Sequence, residues 1–258
     1  MAVRPTSPPD SALVGLLADV ARGIAEAVGE EVGGSAPRAG STQYAFDLVA
    51  DAVAVDRLLA AGCGVLSEES GAHETGRDVV VVVDPIDGSG NAARGSGPFG
   101  PSLCAFDSSG PAAACVLDLA SGDLYTAARG TGAALNGVQL ARPASGPITS
   151  AHVVVSGPVP RRPPWRSTTQ LHATAHELCQ VAAGRFDAYV NTDDDLSAPW
   201  DYLGGSLICQ EAGLAIADAR GRELAVISAE ARRQPLAATS RELLAELRRY
   251  AVTATARG

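Results

Sequence analysis

The sequence predicts an α/β fold made of two subdomains, and three observations lead to that prediction. Five consecutive valines at residues 79–83 are β-branched and too short to span a bilayer, which is typical of a strand buried on both faces. Turn signals such as Asn136-Gly137 separate short apolar segments, which indicates hairpins and an antiparallel sheet. Beyond residue 146, helical and strand-like segments alternate, which favours an α/β second half.

The first subdomain is assigned to residues 1–145. Apolar residues recur every three or four positions over residues 14–28, which predicts a helix that stops at Gly33-Gly34, and a second helical pattern covers residues 47–60. A short strand over residues 62–66 leads into an acidic loop, and the valine strand follows. The hairpin strands are predicted at residues 102–106, 112–117, 124–128, 133–135 and 138–140.

The second subdomain is assigned to residues 146–258, after a linker rich in Pro and Ser. Its predicted strands cover residues 153–155, 187–190 and 214–217, and its predicted helices cover residues 173–183, 201–211 and 240–252. The segment 161–166, which reads RRPPWR, is predicted to be a loop.

Composition and charge exclude several classes of function. A chain of 258 residues with 46% hydrophobic residues can bury a large core. Its formal charge of −9 is the opposite of a nucleic-acid-binding footprint, so an anionic substrate would need metal cations to attract it. Its five cysteines form no CxxC pair, which indicates reduced core residues and neither a zinc site nor a disulfide framework. No signal peptide or membrane span is apparent, so a cytoplasmic protein without a membrane partner is expected.

The valine strand ends in a motif that carries chemistry. Asp84 and Asp87 flank a Pro-Ile turn, and Gly88 and Ser89 follow in a segment suited to a tight bend and a helix start. Two carboxylates beside free helix-start amides can hold a hard cation and a phosphate together. Because Asp and Gly also form ordinary turns, the motif alone is a modest signal.

Further acidic residues stand where other elements end. Glu68 and Glu69 follow a predicted strand, and Asp201 stands at a predicted helix start. Taken singly, the glutamates are typical of a solvated loop and the aspartate of a helix cap. Together with the motif, these acidic residues favour a metal site.

The chain resembles the inositol monophosphatase family, metal-dependent and lithium-sensitive phosphatases of sugars and polyols related to fructose bisphosphatase. The resemblance is carried by SEES at residues 67–70, DPIDGSGN at 84–91, SGDLYTAARGTGAALNG at 121–137, VAAGRFDAY at 181–189 and PWDYLGGSLICQEAG at 199–213. It covers roughly residues 45–140 and 171–218, and the ordered pair of DPIDG and WD followed by EAG is quite specific. It implies the layered αβαβα sandwich of that family.

The resemblance implies a set of metal ligands, namely the carboxylates of Glu68, Asp84, Asp87 and Asp201 and the backbone carbonyl of Ile86. Two like charges about 4 Å apart cost on the order of 4 kcal/mol at an effective dielectric of about 20, so such a cluster needs cations. Oxygen ligands without His or Cys favour Mg²⁺ over zinc, with Mn²⁺ as the alternative, and the resemblance implies two or three ions. Such ions would activate a water for in-line attack on the phosphate.

The resemblance also implies phosphate binding by the amides of Gly88 and Ser89. Ser89 takes the place of a family Thr that orients the attacking water. The acidic partner of that hydroxyl normally lies in a VTxxD-like segment, but residues 47–53 read DLVADAV. A two-residue deletion brings Asp51 into this role, which we favour over Asp47, so the catalytic set is Glu68, Asp51 and Ser89.

Substrate recognition is implied for Asp194, seven residues before the WD aspartate, together with Asp201. An acidic side chain accepts hydrogen bonds from vicinal hydroxyls. The family pattern Arg-Ser-x-Gly-Ser is absent near His172, so this wall of the pocket has diverged. His172 and His176 are interpreted as helix-surface residues without a role.

These expectations lead to one main hypothesis of function and two alternatives. The main hypothesis is a Mg²⁺-dependent phosphomonoesterase that hydrolyses a small polyol or sugar phosphate such as inositol monophosphate, as a homodimer. The first alternative is another phosphatase of the same fold, acting on histidinol phosphate, a nucleotide 3′-phosphate or a sugar bisphosphate. The second is a phosphatase-like protein that binds metal or ligand with little turnover. The expected partner is a small phosphate monoester and not a nucleic acid or a membrane.

Overall fold

The computed structural model describes residues 10–29, 32, 43–141, 143–159, 161–193 and 197–255. The helices are α1 Asp10–Val28, α2 Ala45–Ala60, α3 Ser89–Arg94, α4 Thr174–Ala182, α5 Pro199–Glu211 and α6 Arg241–Thr255. The strands of the first sheet are β1 Gly64–Ser67, β2 Gly71–His73, β3 Val80–Asp87, β4 Gly100–Asp107, β5 Gly110–Leu117, β6 Leu124–Ala128, β7 Gly132–Leu135 and β8 Val138–Gln139. Those of the second are β9 His152–Ser156, β10 Ser167–Thr169, β11 Ala188–Asn191, β12 Ala215–Asp218 and β13 Pro235–Ala238. No helix among these residues has the length and apolar character of a membrane span.

The first sheet follows the strand order β2-β1-β3-β4-β5-β6-β7-β8. Its hairpins lie where the turn signals predict them, including the Asn136-Gly137 turn between β7 and β8. The prediction of an antiparallel sheet is right for every pair except β1 and β3, which run parallel. Because parallel strands end at the same edge of a sheet, this pair brings the residues after β1 next to the end of β3.

The second sheet follows the order β10-β9-β11-β13-β12, with β9 parallel to both β10 and β11 and the pairs that involve β13 antiparallel. Sequence analysis missed β10 and β13. The first is three residues long at the end of a Pro-rich loop, and the second begins with a proline, which weakens a strand signal. Both follow from pairing across the sheet and not from local pattern.

Three apolar clusters separate the layers of secondary structure. The first joins α1 and α2 to one face of the first sheet, the second lies around α4 and α5 between the two sheets, and the third joins α6 to the outer face of the second sheet. The order is helix, sheet, helix, sheet, helix, which confirms the predicted αβαβα layering. The division at residue 145 into two subdomains stays a prediction.

The valine strand lies at the centre of this arrangement. Every residue of β3 is buried, as predicted. Val81 and Val83 face the cluster around α1 and α2, whereas Val82 faces the cluster around α4 and α5. Burying one such side chain contributes about 1.5–3 kcal/mol, so β3 is held firmly from both faces.

Close packing of α5 against α4 fixes the relative position of their first turns. A Cβ added at Gly205 of α5 would lie 2.7 Å from the Cβ of Leu178 and 2.8 Å from the carbonyl oxygen of Ala175. Only a glycine allows this approach of the two helices. The first turn of α5 lines the cavity described next, and the first turn of α4 donates to Asp87, which also lines it.

Candidate active site

A bulge at the end of β3 aims two aspartates at the same side of the sheet. Asp84 pairs with Ser102 of β4 and Asp87 pairs with Gly100, so the two intervening residues of β3 oppose one residue of β4. Side chains three positions apart in a regular strand point to opposite faces, but the extra residue corrects this alternation. Pro85 suits the bulge because it has no amide hydrogen for the ladder. Asp84 and Asp87 therefore line one cavity.

The carboxylates of Glu68, Asp84 and Asp201 converge in this cavity, where one oxygen from each lies within 4.8 Å of the others. Glu68 follows β1, Asp84 lies near the end of the parallel strand β3, and Asp201 lies in the first turn of α5. The amide of Ala198 donates to Oδ2 of Asp201 at 2.7 Å, which fixes that carboxylate at the helix start. Three elements distant in sequence thus build one acidic cluster.

The electrostatics of the cluster favour cation binding. Burial, reinforced by repulsion from Asp201 and Glu69, raises the pKa of Glu68 to about 7, although Glu68 borders the cavity and is reached by solvent. Burial also raises the pKa of Asp201 to about 7 and that of Asp84 well above its usual range. No arginine or histidine of the described residues forms a salt bridge with them. The charge of Arg232 lowers the pKa of Asp201, but burial outweighs it. Carboxylates without a salt bridge fit a hard divalent cation, which would supply positive charge.

Asp87 is held by the start of α4. Its Oδ2 accepts the amide of Ala175 at 2.8 Å and that of His176 at 3.3 Å. Helix starts stabilise anions, but burial and repulsion from Asp201 and Glu177 still raise its pKa well above the usual range. Asp87 lines the cavity beside the cluster.

The acidic partner of Ser89 is Asp47. The prediction that Asp51 forms this hydrogen bond is therefore wrong. The Ser89 hydroxyl lies 3.0 Å from Oδ1 of Asp47 and 2.8 Å from the carbonyl oxygen of Ile86. Asp47 stands in the first turn of α2, which begins two residues earlier than predicted, and its Oδ2 accepts the amide of Tyr44 at 2.8 Å. Burial raises the pKa of Asp47 to about 6, against the hydrogen bonds from Tyr44 and Ser89 that lower it.

Asp51 lies one helical turn further along α2 and has a different partner. Its Oδ1 accepts a hydrogen bond from the Ser67 hydroxyl, and the amide of Glu69 donates to the same hydroxyl at 3.3 Å. Asp51 therefore positions the loop that carries Glu68 and does not reach Ser89.

Gly88 lines the cavity, and the space where a side chain would stand is filled by other residues. Its φ of +82° lies in the left-handed region, and an added Cβ would lie 3.0 Å from both the Cβ of Ala173 and the carbonyl oxygen of Pro98. The amides of Gly88 and Ser89 donate no hydrogen bond to another described residue. These amides are available to an anion in a cavity of about 740 Å³.

Three other residues were assigned a place from the sequence, and the structure describes two of them. Asp194 lies outside the described residues. His176 is buried, with its ring Nε2 3.3 Å from the carbonyl oxygen of Gly100, so its interpretation as a surface residue is wrong. His172 is exposed but lines the cavity. Sequence reasoning missed it because its place depends on the turn before α4 and not on a helix pattern.

Fold and acidic cavity together are those of a metal-dependent phosphatase. The chain belongs to the inositol monophosphatase family, because the model of that family matches residues 10–255. The resemblance drawn from the motifs is thereby confirmed, and with it the classification as a phosphoric monoester hydrolase. The family depends on metal ions, and the acidic cluster is where this chain can bind them.

Individual relatives agree with this assignment. A fructose-1,6-bisphosphatase/inositol-1-monophosphatase from Thermococcus kodakarensis is 32% identical over 222 residues, which cover 85% of this chain and 84% of the relative. The Nus factor SuhB of Escherichia coli K12 is 30% identical over 174 residues, covering 61% of this chain and 63% of SuhB. A solved structure from Pyrococcus horikoshii, described as similar to inositol-1 monophosphatase, superposes with a TM-score of 0.82 at 26% identity and covers 93% of this chain and 98% of its own.

Proposed function

We propose that the protein is a Mg²⁺-dependent phosphomonoesterase that acts on a small polyol or sugar phosphate such as inositol monophosphate. The observation that carries the proposal is the convergence of Glu68, Asp84 and Asp201 within 4.8 Å, with no salt bridge to them from a described residue. Asp87 and the carbonyl of Ile86 complete the oxygen donors. When bound, divalent cations would neutralise this cluster and polarise the phosphate ester.

The chain's own residues supply the rest of the reaction. The free amides of Gly88 and Ser89 hold the phosphate oxygens. Ser89 accepts a proton from the attacking water while its own proton passes to Oδ1 of Asp47, 3.0 Å away. With a pKa of about 6, Asp47 is largely ionised near neutral pH and serves as the acceptor. Glu68, at the edge of the cavity, helps to orient the water.

The same geometry supports turnover over mere ligand binding. The altered segment 47–53 raised the prospect that Ser89 lacks an acidic partner, but Asp47 stands within hydrogen-bonding distance of it. A metal-binding or ligand-binding protein with little turnover is therefore the weaker alternative. The names of the relatives support both inositol phosphates and sugar bisphosphates as substrates, and histidinol and nucleotide 3′-phosphates remain alternatives of the same class.

Phosphate release tests the proposal. Purified protein is incubated with Mg²⁺ and with inositol, sugar, histidinol or 3′-nucleotide phosphates, with a chelator and the Asp84→Asn variant as controls. We expect hydrolysis of a polyol or sugar phosphate that needs Mg²⁺ and disappears in both controls. Absence of hydrolysis of every ester by folded, metal-loaded protein contradicts the proposal.

The number and kind of ions belong to the same proposal. We expect two or three Mg²⁺ ions, activity with Mn²⁺ as the substitute, and inhibition by Li⁺. Replacing Mg²⁺ by Mn²⁺ tests the substitution, and adding Li⁺ to the assay with Mg²⁺ tests the inhibition. Unchanged activity in the presence of Li⁺ would contradict the expected inhibition. Homodimerisation and a cytoplasmic location stay predictions, and light scattering tests the first.

A further inference from the structure

One residue on the rim of the cavity has no part in the proposed chemistry. His172 lines the cavity, is exposed, and its ring forms no hydrogen bond with another described residue. The charged side chains that share this lining are all carboxylates. Among the described lining residues, His172 is therefore the only one with a basic side chain.

The backbone of His172 is held in a conformation that a histidine rarely adopts. Its φ is +57°, in the left-handed region, which costs a residue other than glycine roughly 1–2 kcal/mol. Such strain persists only where the surroundings hold it, and it concentrates at functional sites. The cost indicates that the backbone of this turn is held by specific contacts.

Two side chains supply those contacts. Glu177 of α4 is fully buried, and its Oε1 accepts the amides of Leu171 at 2.8 Å and of His172 at 3.0 Å. From the other side, Nδ2 of Asn91 in α3 donates to the carbonyl oxygen of Leu171 at 2.6 Å. The turn before α4 is thus fixed to two helices at once.

This turn lies beside the amides that are open to a phosphate. Ala173, the next residue, is in contact with Gly88, since a Cβ added at Gly88 would lie 3.0 Å from the Cβ of Ala173. A phosphate held by the amides of Gly88 and Ser89 would place the alcohol part of its ester in the same cavity, whose lining includes His172. In the same lining Gln43 donates to Glu69, whereas the ring nitrogens of His172 form no hydrogen bond with a described residue.

We propose that His172 is a specificity-determining residue that hydrogen-bonds the alcohol part of the phosphate ester, and that buried Glu177 is a positioning residue that holds it there. The inference rests on the proposed phosphatase function and deepens it. The ring nitrogens of His172 recognise hydroxyl groups next to the ester, so the site selects esters of polyhydroxy alcohols over esters of simple alcohols.

The test compares two substrates that differ only in their alcohol. KM and kcat are measured for a polyol monophosphate and for ethyl phosphate, together with inhibition by inorganic phosphate. In His172→Asn, whose new residue tolerates the left-handed backbone, we expect KM for the polyol ester to rise about three- to tenfold, as for the loss of one hydrogen bond. kcat, KM for ethyl phosphate and inhibition by phosphate should stay unchanged.

A matched control is His152→Asn, which replaces an exposed histidine outside the cavity that is hydrogen-bonded to Ser167. It should leave every constant unchanged. An equal change for both esters in His172→Asn, no change at all, or weaker inhibition by phosphate would overturn the role of His172 in reading the alcohol.

Variants of Glu177 test the positioning role. Glu177→Gln keeps an accepting oxygen and should retain the wild-type KM, whereas Glu177→Leu should reproduce the selective rise in KM and add nothing to His172→Asn. If Glu177→Leu does not fold, Asn91→Ala removes the other hold on the same turn and should show the same selective rise. An unchanged KM in the folded variants overturns the positioning role.

The two proposals fail in different ways. A wild-type protein that hydrolyses no ester of the inositol, sugar, histidinol and nucleotide panel overturns the phosphatase proposal and this inference with it, and hydrolysis of other esters of that panel but not of the polyol ester overturns the inference alone. A wild-type protein that hydrolyses both esters, with His172→Asn altered for neither or for both equally, overturns the inference alone.

Discussion

Two groups of carboxylates in this molecule differ in what balances their charge. Asp107 and Asp123 pair with Arg129 and Arg185 at 2.6 and 2.7 Å, and hydrogen bonds from these arginines hold the pKa of both carboxyls below the usual range. The carboxylates of the cavity have no such pair among the described residues, and burial raises their pKa. The protein supplies the counter-charge of the first group through its arginines, whereas the second group forms no salt bridge with a described residue and could hold a metal ion.

The largest effect that separates the two groups is expected in activity. Asp84→Asn and Asp201→Asn should each lower kcat/KM at least about a hundredfold, because removing even an indirect support of a metal site costs 10–100-fold. Far-UV circular dichroism should show an unchanged fold. Asp107→Asn, from the paired group, is the control and should stay near wild type. Wild-type rates in both Asp84→Asn and Asp201→Asn would show that the cavity carboxylates matter no more for activity than the arginine-paired ones.

A second effect separates two aspartates of the same helix. Asp47→Asn should lower kcat about a hundredfold or more, because it removes the proton acceptor of Ser89. Asp51→Asn should act more weakly, since Asp51 bonds Ser67 and reaches the reaction only through the loop of Glu68. The measurement is kcat at saturating substrate for both variants, and a larger loss in Asp51→Asn would restore Asp51 as the partner of Ser89.

The pH dependence of stability should also differ between the groups. The pKa of Glu68 rises from 4.5 and that of Asp201 from 3.8, both to about 7, so metal-free folded protein holds protons that the unfolded chain has lost. The stability that these two groups contribute is fully present below their unfolded-state pKa values of 4.5 and 3.8, and it is lost as pH rises to about 7. The lowered pKa of Asp107 and Asp123 gives the opposite slope, but only below the usual value of 3.8.

Thermal unfolding in a chelator across this range measures that dependence. Tm should fall as pH rises from about 5 to about 8, and added Mg²⁺ should remove the fall because the cation neutralises the ionised carboxylates. A Tm that rises with pH in metal-free protein would contradict the raised pKa values.

The smallest effect is expected at a pair that stands fully in solvent. Arg22 and Asp19 on α1 lie 3.0 Å apart with more than half of each side chain exposed. Arg22→Gln should change the free energy of unfolding by about 0.5 kcal/mol or less, because water and salt screen such a pair. Denaturant unfolding checks this, and a loss of several kcal/mol would show that pairing matters more here than its exposure indicates.

The sequence predicted the central motif and every strand of the first sheet except β2, whose three residues were expected to be a connection, because most of these signals are local. A run of β-branched valines, glycine-containing turns and an alternating pattern each depend on a few neighbouring residues. Strands β10 and β13 were missed because their pairing with distant strands decides them. The parallel pairing of β1 with β3 was missed for the same reason.

The site shows the same division between local and distant signals. Glu68, Asp84, Asp87 and Asp201 stand at element ends that local pattern identifies, and the structure brings three of them within 4.8 Å of one another. The partner of Ser89 was misassigned because Asp47 and Asp51 lie on the same helix, and the choice depends on where that helix begins. Near His172 the sequence signalled only that this wall of the pocket departs from the family pattern, because the left-handed turn at this histidine is fixed by Glu177 and Asn91 and not by its own sequence.

The central claim is that the carboxylates of Glu68, Asp84 and Asp201 bind an external cation. Measuring proton release on cation binding tests this claim most directly. Mg²⁺ is titrated calorimetrically into metal-free protein at about pH 6, below the pKa of about 7 of Glu68 and Asp201, in buffers of different ionisation enthalpy. We predict that binding releases protons, that the release declines as pH rises past about 7, and that Asp84→Asn weakens binding. Binding without proton release, or equal binding by Asp84→Asn, would contradict the account.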